Sequence, residues 1–251
     1  MIKTFEQGGL KGYFTEKSDG NFSFKRDPDV GRVRMNFINL AEALGLPADS
    51  FIGAEQTHGV NIGRAEITHC GTGIMRPVHF TETDGLITDK PGVVLTTTHA
   101  DCVPVQLFDA EHGAVAAVHS GWKGTAHGIA KNAVRAMSQN YGTNPAALKA
   151  VIGPAICMDC FEISEDVYGI FAQMYPELIT DPLYCRAGRA PGKYQLDLKR
   201  FVRRTLEEAG LVENNIHDVG LCTCCPGNFY SHRRGDRDGA QASVVYIEKR
   251  I

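Results

Sequence analysis

The stretch Val93–Thr125, VVLTTTHADCVPVQLFDAEHGAVAAVHSGWKGT, constrains the fold more than any other part of the chain. Two apolar runs, Val93–Thr98 and Ala114–Val118, lead into the polar clusters His99-Ala100-Asp101-Cys102 and His119-Ser120-Gly121-Trp122. A continuous apolar run bounded by polar residues is the pattern of a strand buried on both faces, with functional groups left at its carboxyl end. An earlier segment, Phe51-Ile52-Gly53-Ala54, runs in the same way into Gln56-Thr57-His58-Gly59. The pattern predicts that His58, Cys102 and His119 converge on one metal ion.

Other elements follow from periodicity. Between Asp29 and Leu46 the apolar residues Val33, Phe37, Leu40, Ala41 and Leu44 share one helical face, and Gly45 with Pro47 end it. Thr125 to Tyr141 reads as one helix closed by Gly142, and Ser164 to Tyr175 as another with Ser164 as its N-cap. A further helix runs from Leu198 to Ala209. Strands are expected where the turn at Asp84-Gly85 leads through Leu86-Ile87-Thr88, at Leu148–Ile152, at His217–Leu221 and at Ala242–Ile247. Ser18-Asp19-Gly20-Asn21 carries a hairpin-type turn signal. Strands alternating with helices indicate α/β layers, and some connections are too short for parallel crossovers, so the sheet should be mixed. Residues 1–251 show no internal repeat or linker and are expected to form a single domain.

Composition narrows the class. With 43% apolar and 22% charged residues the chain is that of an ordinary globular protein. A formal charge of −3 argues against a general nucleic-acid binder. No apolar run reaches the ~18 residues of a membrane span. The opening MIKTFEQGGLKGYF has no signal-peptide core, so a cytoplasmic location is expected, and the eight cysteines read as thiols.

Imidazole and thiolate both suit zinc, and three protein ligands leave a fourth position open. Asp101 and Ser120, beside two of the three residues, are placed to orient water or the imidazoles. The same trio serves a second chemistry: Cys102 as nucleophile, His119 as base and Asp101 or Ser120 as orienting group, with no metal. A multicopper oxidase is disfavoured, because copper clusters need many imidazoles and this chain has nine His and no His-x-His pair. A single His/Cys/His site could still accept copper.

The runs THADCVPVQLFD and AVAAVHSGWKGTAHGIA, with QTHG at 56–59, DGLIT at 84–88, IGPAICMDCFEIS at 152–164, LDL at 196–198 and CT followed by FYSHRR at 222–234, resemble the family known as laccase-domain, multicopper polyphenol oxidase or purine nucleoside phosphorylase proteins. The resemblance implies a layered α/β/β/α fold with mixed sheets and zinc on His58, Cys102 and His119. It also implies phosphorolysis of adenosine, inosine and methylthioadenosine, and deamination of adenosine, with purine nucleosides and phosphate as partners. Asp101 and Arg233 are the expected catalytic groups. Gln56, Phe161 and Arg234 are the expected substrate contacts, since guanidinium forks suit phosphate and an aromatic face suits a base. Where the family usually has Gly-Arg before its last strand, this chain has Gly239-Ala240, and Arg237 is the candidate substitute.

The remaining cysteines include Cys157-x-x-Cys160, which has ligand spacing, and Cys222, Cys224 and Cys225. Without the paired architecture of a zinc ribbon they read as buried structural thiols. His69, His79, His112, His127, His217 and His232 read as loop or surface residues, whereas His99 could line the pocket.

Overall fold

The computed structural model describes residues 1–249. Its strands, in chain order, are β1 (Ile2–Gln7), β2 (Leu10–Phe14), β3 (Phe51–Ile52), β4 (Ile62–Arg64), β5 (Gly85–Thr88), β6 (Val94–His99) and β7 (Val103–Asp109). They continue with β8 (Ala114–Ser120), β9 (Lys149–Ile152), β10 (Glu162–Ser164), β11 (Cys185–Ala187), β12 (Lys193–Leu196), β13 (Ile216–Asp218) and β14 (Gln241–Ile247). The helices are α1 (Val30–Leu44), α2 (Trp122–Ala126), α3 (Ile129–Tyr141), α4 (Glu165–Met174) and α5 (Leu198–Glu208).

Two mixed sheets stack face to face. One has the order β1-β2-β14-β6-β3 and the other β13-β9-β7-β8-β5-β4, while β10-β12-β11 forms a small antiparallel sheet. Strand β8 shows why its sequence is apolar throughout. Ala114, Ala116 and Val118 face a core shared with Ile129, Ala133 and Val134 of α3 and Phe201, Val202 and Leu206 of α5. Val115 and Ala117 face the opposite way, into the layer between the sheets with Phe14, Leu95 and Val245. The period-2 alternation of a strand thus supplies two buried faces from one run. On the outer side of the five-stranded sheet, Val33, Phe37, Leu40 and Ala41 of α1 pack on Phe51, Val94, Val244 and Tyr246. The layers are therefore α/β/β/α, the arrangement implied by the family resemblance.

Three expectations change in detail. The predicted helix over Thr125–Tyr141 is two helices, because Gly128 takes a left-handed conformation (φ 77°) that ends α2 and opens α3. The first hairpin turns at Gly8-Gly9, and Ser18-Asp19 lies instead in a short 3-10 turn. Ser164 stands at the N-cap of α4, but its hydroxyl bonds the Asp166 carboxylate and makes no side-chain bond to the helix backbone.

One polar residue bridges the apolar interlayer. Gln106 of β7, fully buried, donates from Nε2 to Tyr13 O (3.0 Å) and Ser243 Oγ (3.0 Å), and its Oε1 accepts from Thr4 Oγ1 (2.7 Å). Gln106→Leu is expected to lower unfolding free energy by about 1–3 kcal/mol, because a buried hydroxyl is left without a partner. Urea unfolding reads the loss. Adding Ser243→Ala to that variant is expected to recover part of it, since the stranded group is then gone.

Candidate functional site

His58, Cys102 and His119 meet. One donor atom from each lies within 4.8 Å of the other two. His119 is the penultimate residue of β8, Cys102 sits in the turn between β6 and β7, and His58 lies in the loop after β3. The imidazole planes of His58 and His119 cross at 79° with centroids 4.9 Å apart. Gly121 makes the closeness possible: a Cβ there would stand 2.6 Å from His58 Cδ2 and 3.3 Å from Cys102 Sγ.

The group that builds this arrangement is Asp84, which the sequence reading took only as a turn before β5. Its fully buried carboxylate contacts His119 Nδ1 through Oδ1 (2.8 Å) and accepts the backbone N–H groups of Thr57 (3.0 Å), His58 (2.9 Å) and Gly59 (2.7 Å). The bond to Nδ1 fixes the ring and leaves Nε2 for the cluster. Neither Asp101 nor Ser120 hydrogen-bonds the imidazoles. Ser120 Oγ is paired with Thr125 Oγ1 (2.8 Å). The Asp101 carboxylate accepts from Thr223 Oγ1 (2.7 Å) and from Arg233 N (2.7 Å).

Charges inside the cluster are mutually supporting. Burial disfavours the Cys102 thiolate, but His119 and His58 outweigh it and bring the thiol down to about 6. Burial likewise disfavours an imidazolium at His119, and the Cys102 sulfur and Asp84 overcome it, raising the ring to about 9. For Asp84, burial acts against the anion. His119 and the N–H groups of Gly59 and Thr57 nevertheless hold it far below the usual carboxylate range. Neighbouring His99 is driven well below its ordinary value, first by burial and then by His119. An oriented imidazole, a favoured thiolate and a second imidazole at these separations are a donor set that fits a divalent metal.

The cluster opens into a small cavity of about 80 Å³ lined by Ser23, Lys25, Arg26, Gln56, Thr98, His99 and Ala240 besides the three donors. A larger apolar cavity of about 270 Å³ adjoins it, sharing Ser23, Lys25, Gln56 and Thr98 and walled by Phe22, Phe24, Ile74 and Val78. The guanidinium beside Ala240 in the small cavity is that of Arg26; Arg237, the candidate substitute, is not among its lining residues. Gln56 lines both cavities, with its amide paired to the backbone of Thr98 (Nε2 to O 2.8 Å, N to Oε1 2.8 Å).

The arginines diverge. Arg233 stacks on Phe161, 5.4 Å from the ring centroid, and donates to Cys160 O (3.0 Å). Among the described residues it has no carboxylate in salt-bridge range. Arg234 turns into its own loop, donating to Thr223 O (2.9 Å), Cys225 O (3.1 Å), Phe229 O and the Asp236 carboxylate (2.5 Å). The expected pair of phosphate forks is therefore one exposed guanidinium and one already saturated.

Residues 3–248 match the family model described as multi-copper polyphenol oxidoreductase laccase, and the chain belongs to this laccase-like family. It is 33% identical to purine nucleoside phosphorylase YlmD of Geobacillus stearothermophilus, across 97% of this chain and 91% of that protein. A protein named adenosine deaminase RL5, from an unknown prokaryotic organism, is 33% identical across 87% of this chain and 83% of its own length. The crystal structure of YlmD from G. stearothermophilus superposes with a TM-score of 0.90, at 31% identity, covering 96% of this chain and 93% of that one. That of the hypothetical protein YfiH of Bacillus licheniformis gives 0.89, at 31% identity, covering 95% and 93%. Among the described residues no helix is long and apolar enough to cross a membrane.

Asp84→Asn is expected to weaken metal retention ten- to a hundredfold, the usual cost of losing a carboxylate behind a ligand imidazole. A chelator competition on the purified variant measures it. Unchanged retention would mean that Asp84 serves the fold alone.

Proposed function

We propose that this chain is a zinc-dependent purine nucleoside phosphorylase acting on adenosine, inosine and methylthioadenosine, with adenosine deaminase activity. The observation that carries the reading is the Asp84-braced His58–Cys102–His119 cluster at the floor of a polar cavity, in a chain whose relatives are named for these two reactions. His58, Cys102 and His119 would hold the metal, which when bound supplies Lewis acidity at that floor. Asp84 keeps His119 in the liganding tautomer. The aromatic walls at Phe22 and Phe24 offer an apolar slot for a flat base beside the cluster. The exposed Arg233 guanidinium supplies a fork for phosphate, and its backbone is tied to Asp101, next in sequence to Cys102. Asp101 acts here as a positioning residue, since its carboxylate is engaged by Thr223 and Arg233.

A second reading has an observation of its own. Cys102, His119 and Asp84 succeed one another as nucleophile, base and orienting carboxylate do in a metal-free hydrolase. Metal content separates the two, because a liganding thiolate resists alkylation and a nucleophilic one does not. The copper oxidase reading is weak on the donor set. Among the described residues, the two groups able to hold a metal are this trio and a set of four cysteines, and neither is a multi-imidazole cluster.

Cys102→Ala and His119→Ala are each expected to abolish turnover of adenosine and inosine while leaving the circular-dichroism spectrum and unfolding midpoint close to those of the parent. Full activity in a verified metal-free variant would sink the metal mechanism. Arg233→Ala is expected to raise the phosphate KM roughly ten- to a hundredfold, the worth of a charged hydrogen bond. Deamination of adenosine, which needs no phosphate, is expected to change little and serves as the control. A loss of phosphate dependence in Arg26→Ala, with Arg233→Ala unaffected, would move the phosphate to the corner beside Ala240.

A further inference from the structure

The cysteines that read as scattered buried thiols are neither scattered nor deeply buried. Strands β9 and β13 are parallel neighbours, and both chains leave the sheet in the same direction. They stay paired beyond it through Val219 N to Ile152 O (3.0 Å) and Thr223 N to Ala155 O (3.2 Å). The first then turns through Cys157-Met158-Asp159-Cys160 and the second through Cys222-Thr223-Cys224-Cys225. Each is a Cys-x-x-Cys pair. The signal was present in the sequence, but Cys224 between the two outer thiols of the second pair obscured it.

The parallel exit brings the two turns together. The sulfurs of Cys157, Cys160, Cys222 and Cys225 all lie within 4.8 Å of one another. Cys225 Sγ is 3.8 Å from Cys160 Sγ and 4.0 Å from Cys157 Sγ. A tetrahedral ion with metal–sulfur bonds of about 2.3 Å requires sulfur–sulfur edges of about 3.8 Å. A disulfide requires about 2.05 Å, and all eight cysteines are free thiols. An iron–sulfur cluster, whose four thiolates are spread over two or more irons, would need its cysteines farther apart. Two backbone N–H groups, those of Cys157 (3.3 Å) and Cys225 (3.4 Å), point at Cys222 Sγ. Such donors stabilise sulfur as thiolate, the form that binds metal.

We propose that Cys157, Cys160, Cys222 and Cys225 bind one zinc ion as a tetrathiolate, a second metal site separate from the His58–Cys102–His119 cluster. Binding releases the thiol protons to solvent and leaves four sulfur ligands with no open position, so the site is structural. Its role follows from what the two turns carry. Arg233 donates to Cys160 O, Arg234 donates to the carbonyls of Thr223 and Cys225, and Thr223 Oγ1 holds the Asp101 carboxylate. The ion therefore clamps the two loops from which Arg233 and the Cys102 turn are positioned.

The test is metal stoichiometry on the full chain purified under reducing conditions. Wild type is expected to hold two zinc ions per chain. Cys157→Ser/Cys225→Ser is expected to hold one and to melt at a lower temperature, and Cys102→Ala to lose the other. Should the double variant fail to fold, wild-type protein stripped and refilled with cobalt(II) gives the answer. A tetrathiolate produces intense sulfur-to-cobalt charge-transfer absorption that persists in Cys102→Ala. No zinc in wild type, equal zinc in wild type and the double variant, iron in place of zinc, or an intact mass showing a disulfide would each overturn the proposal. A single zinc in wild type that Cys102→Ala keeps and the double variant loses would instead count against the metal reading of the His58 cluster and leave this one standing.

Discussion

The site depends on one buried carboxylate. Asp84 is fully excluded from solvent, and an isolated anion there would cost several kcal/mol after relaxation. Five contacts offset this: the His119 ring, the Thr57 hydroxyl and the N–H groups of Thr57, His58 and Gly59. Each charged bond contributes about 1.5–3 kcal/mol net of desolvation. The consequence is geometric, because a single group fixes a loop from one part of the chain against a strand end from another. The backbone adds to this, since Asp84 O also accepts the His119 N–H (2.7 Å). His58, held at φ 63° in the left-handed region that few residues with a side chain adopt, is presented to the cluster by that loop.

The layers were legible because their causes are local. Short, β-branched apolar runs such as Val93–Thr98 and Ala114–Val118 read as buried strands, and the face formed by Val33, Phe37 and Leu40 reads as an amphipathic helix. The three donors were legible because each ends such a run or lies in the turn beside it. What holds them was not, for Asp84 precedes a glycine and looks like any turn residue; its partners lie 25 to 35 positions away. The same limit explains the arginines. Adjacent residues Arg233 and Arg234 look like a matched pair in sequence, yet a reversing loop sends one guanidinium onto Phe161 and the other into its own carbonyls.

The laccase wording attached to the family and the phosphorylase wording attached to its members describe different chemistries, and the positions of the imidazoles bear on the first. Histidines His69 and His79 stack on each other at 4.3 Å, in the segment between β4 and β5, and join neither group able to hold a metal. His112 is paired with Asp109 in the turn between β7 and β8. Buried imidazoles near the cluster reduce to His99, whose Nε2 contacts Thr97 Oγ1. A centre of several coppers would require these rings to converge, and they are dispersed.

The turn before Cys102 has an implication for how the molecule is made. Asp101 sits at φ 91°, a backbone state costing of order 1–3 kcal/mol for a residue with a side chain. The groups that hold it there, Thr223 and Arg233, are 122 and 132 residues downstream. Strand β14, which lies between β2 and β6, is likewise drawn from residues 241–247. On the ribosome, then, the Cys102 turn cannot close before residue 233 has emerged, nor the five-stranded sheet before residue 247. Such long-range closure slows assembly and leaves strand edges open meanwhile. An ion captured early by the thiol and imidazole of Cys102 and His119, only 17 residues apart, would have to wait for this late tie before its surroundings were complete.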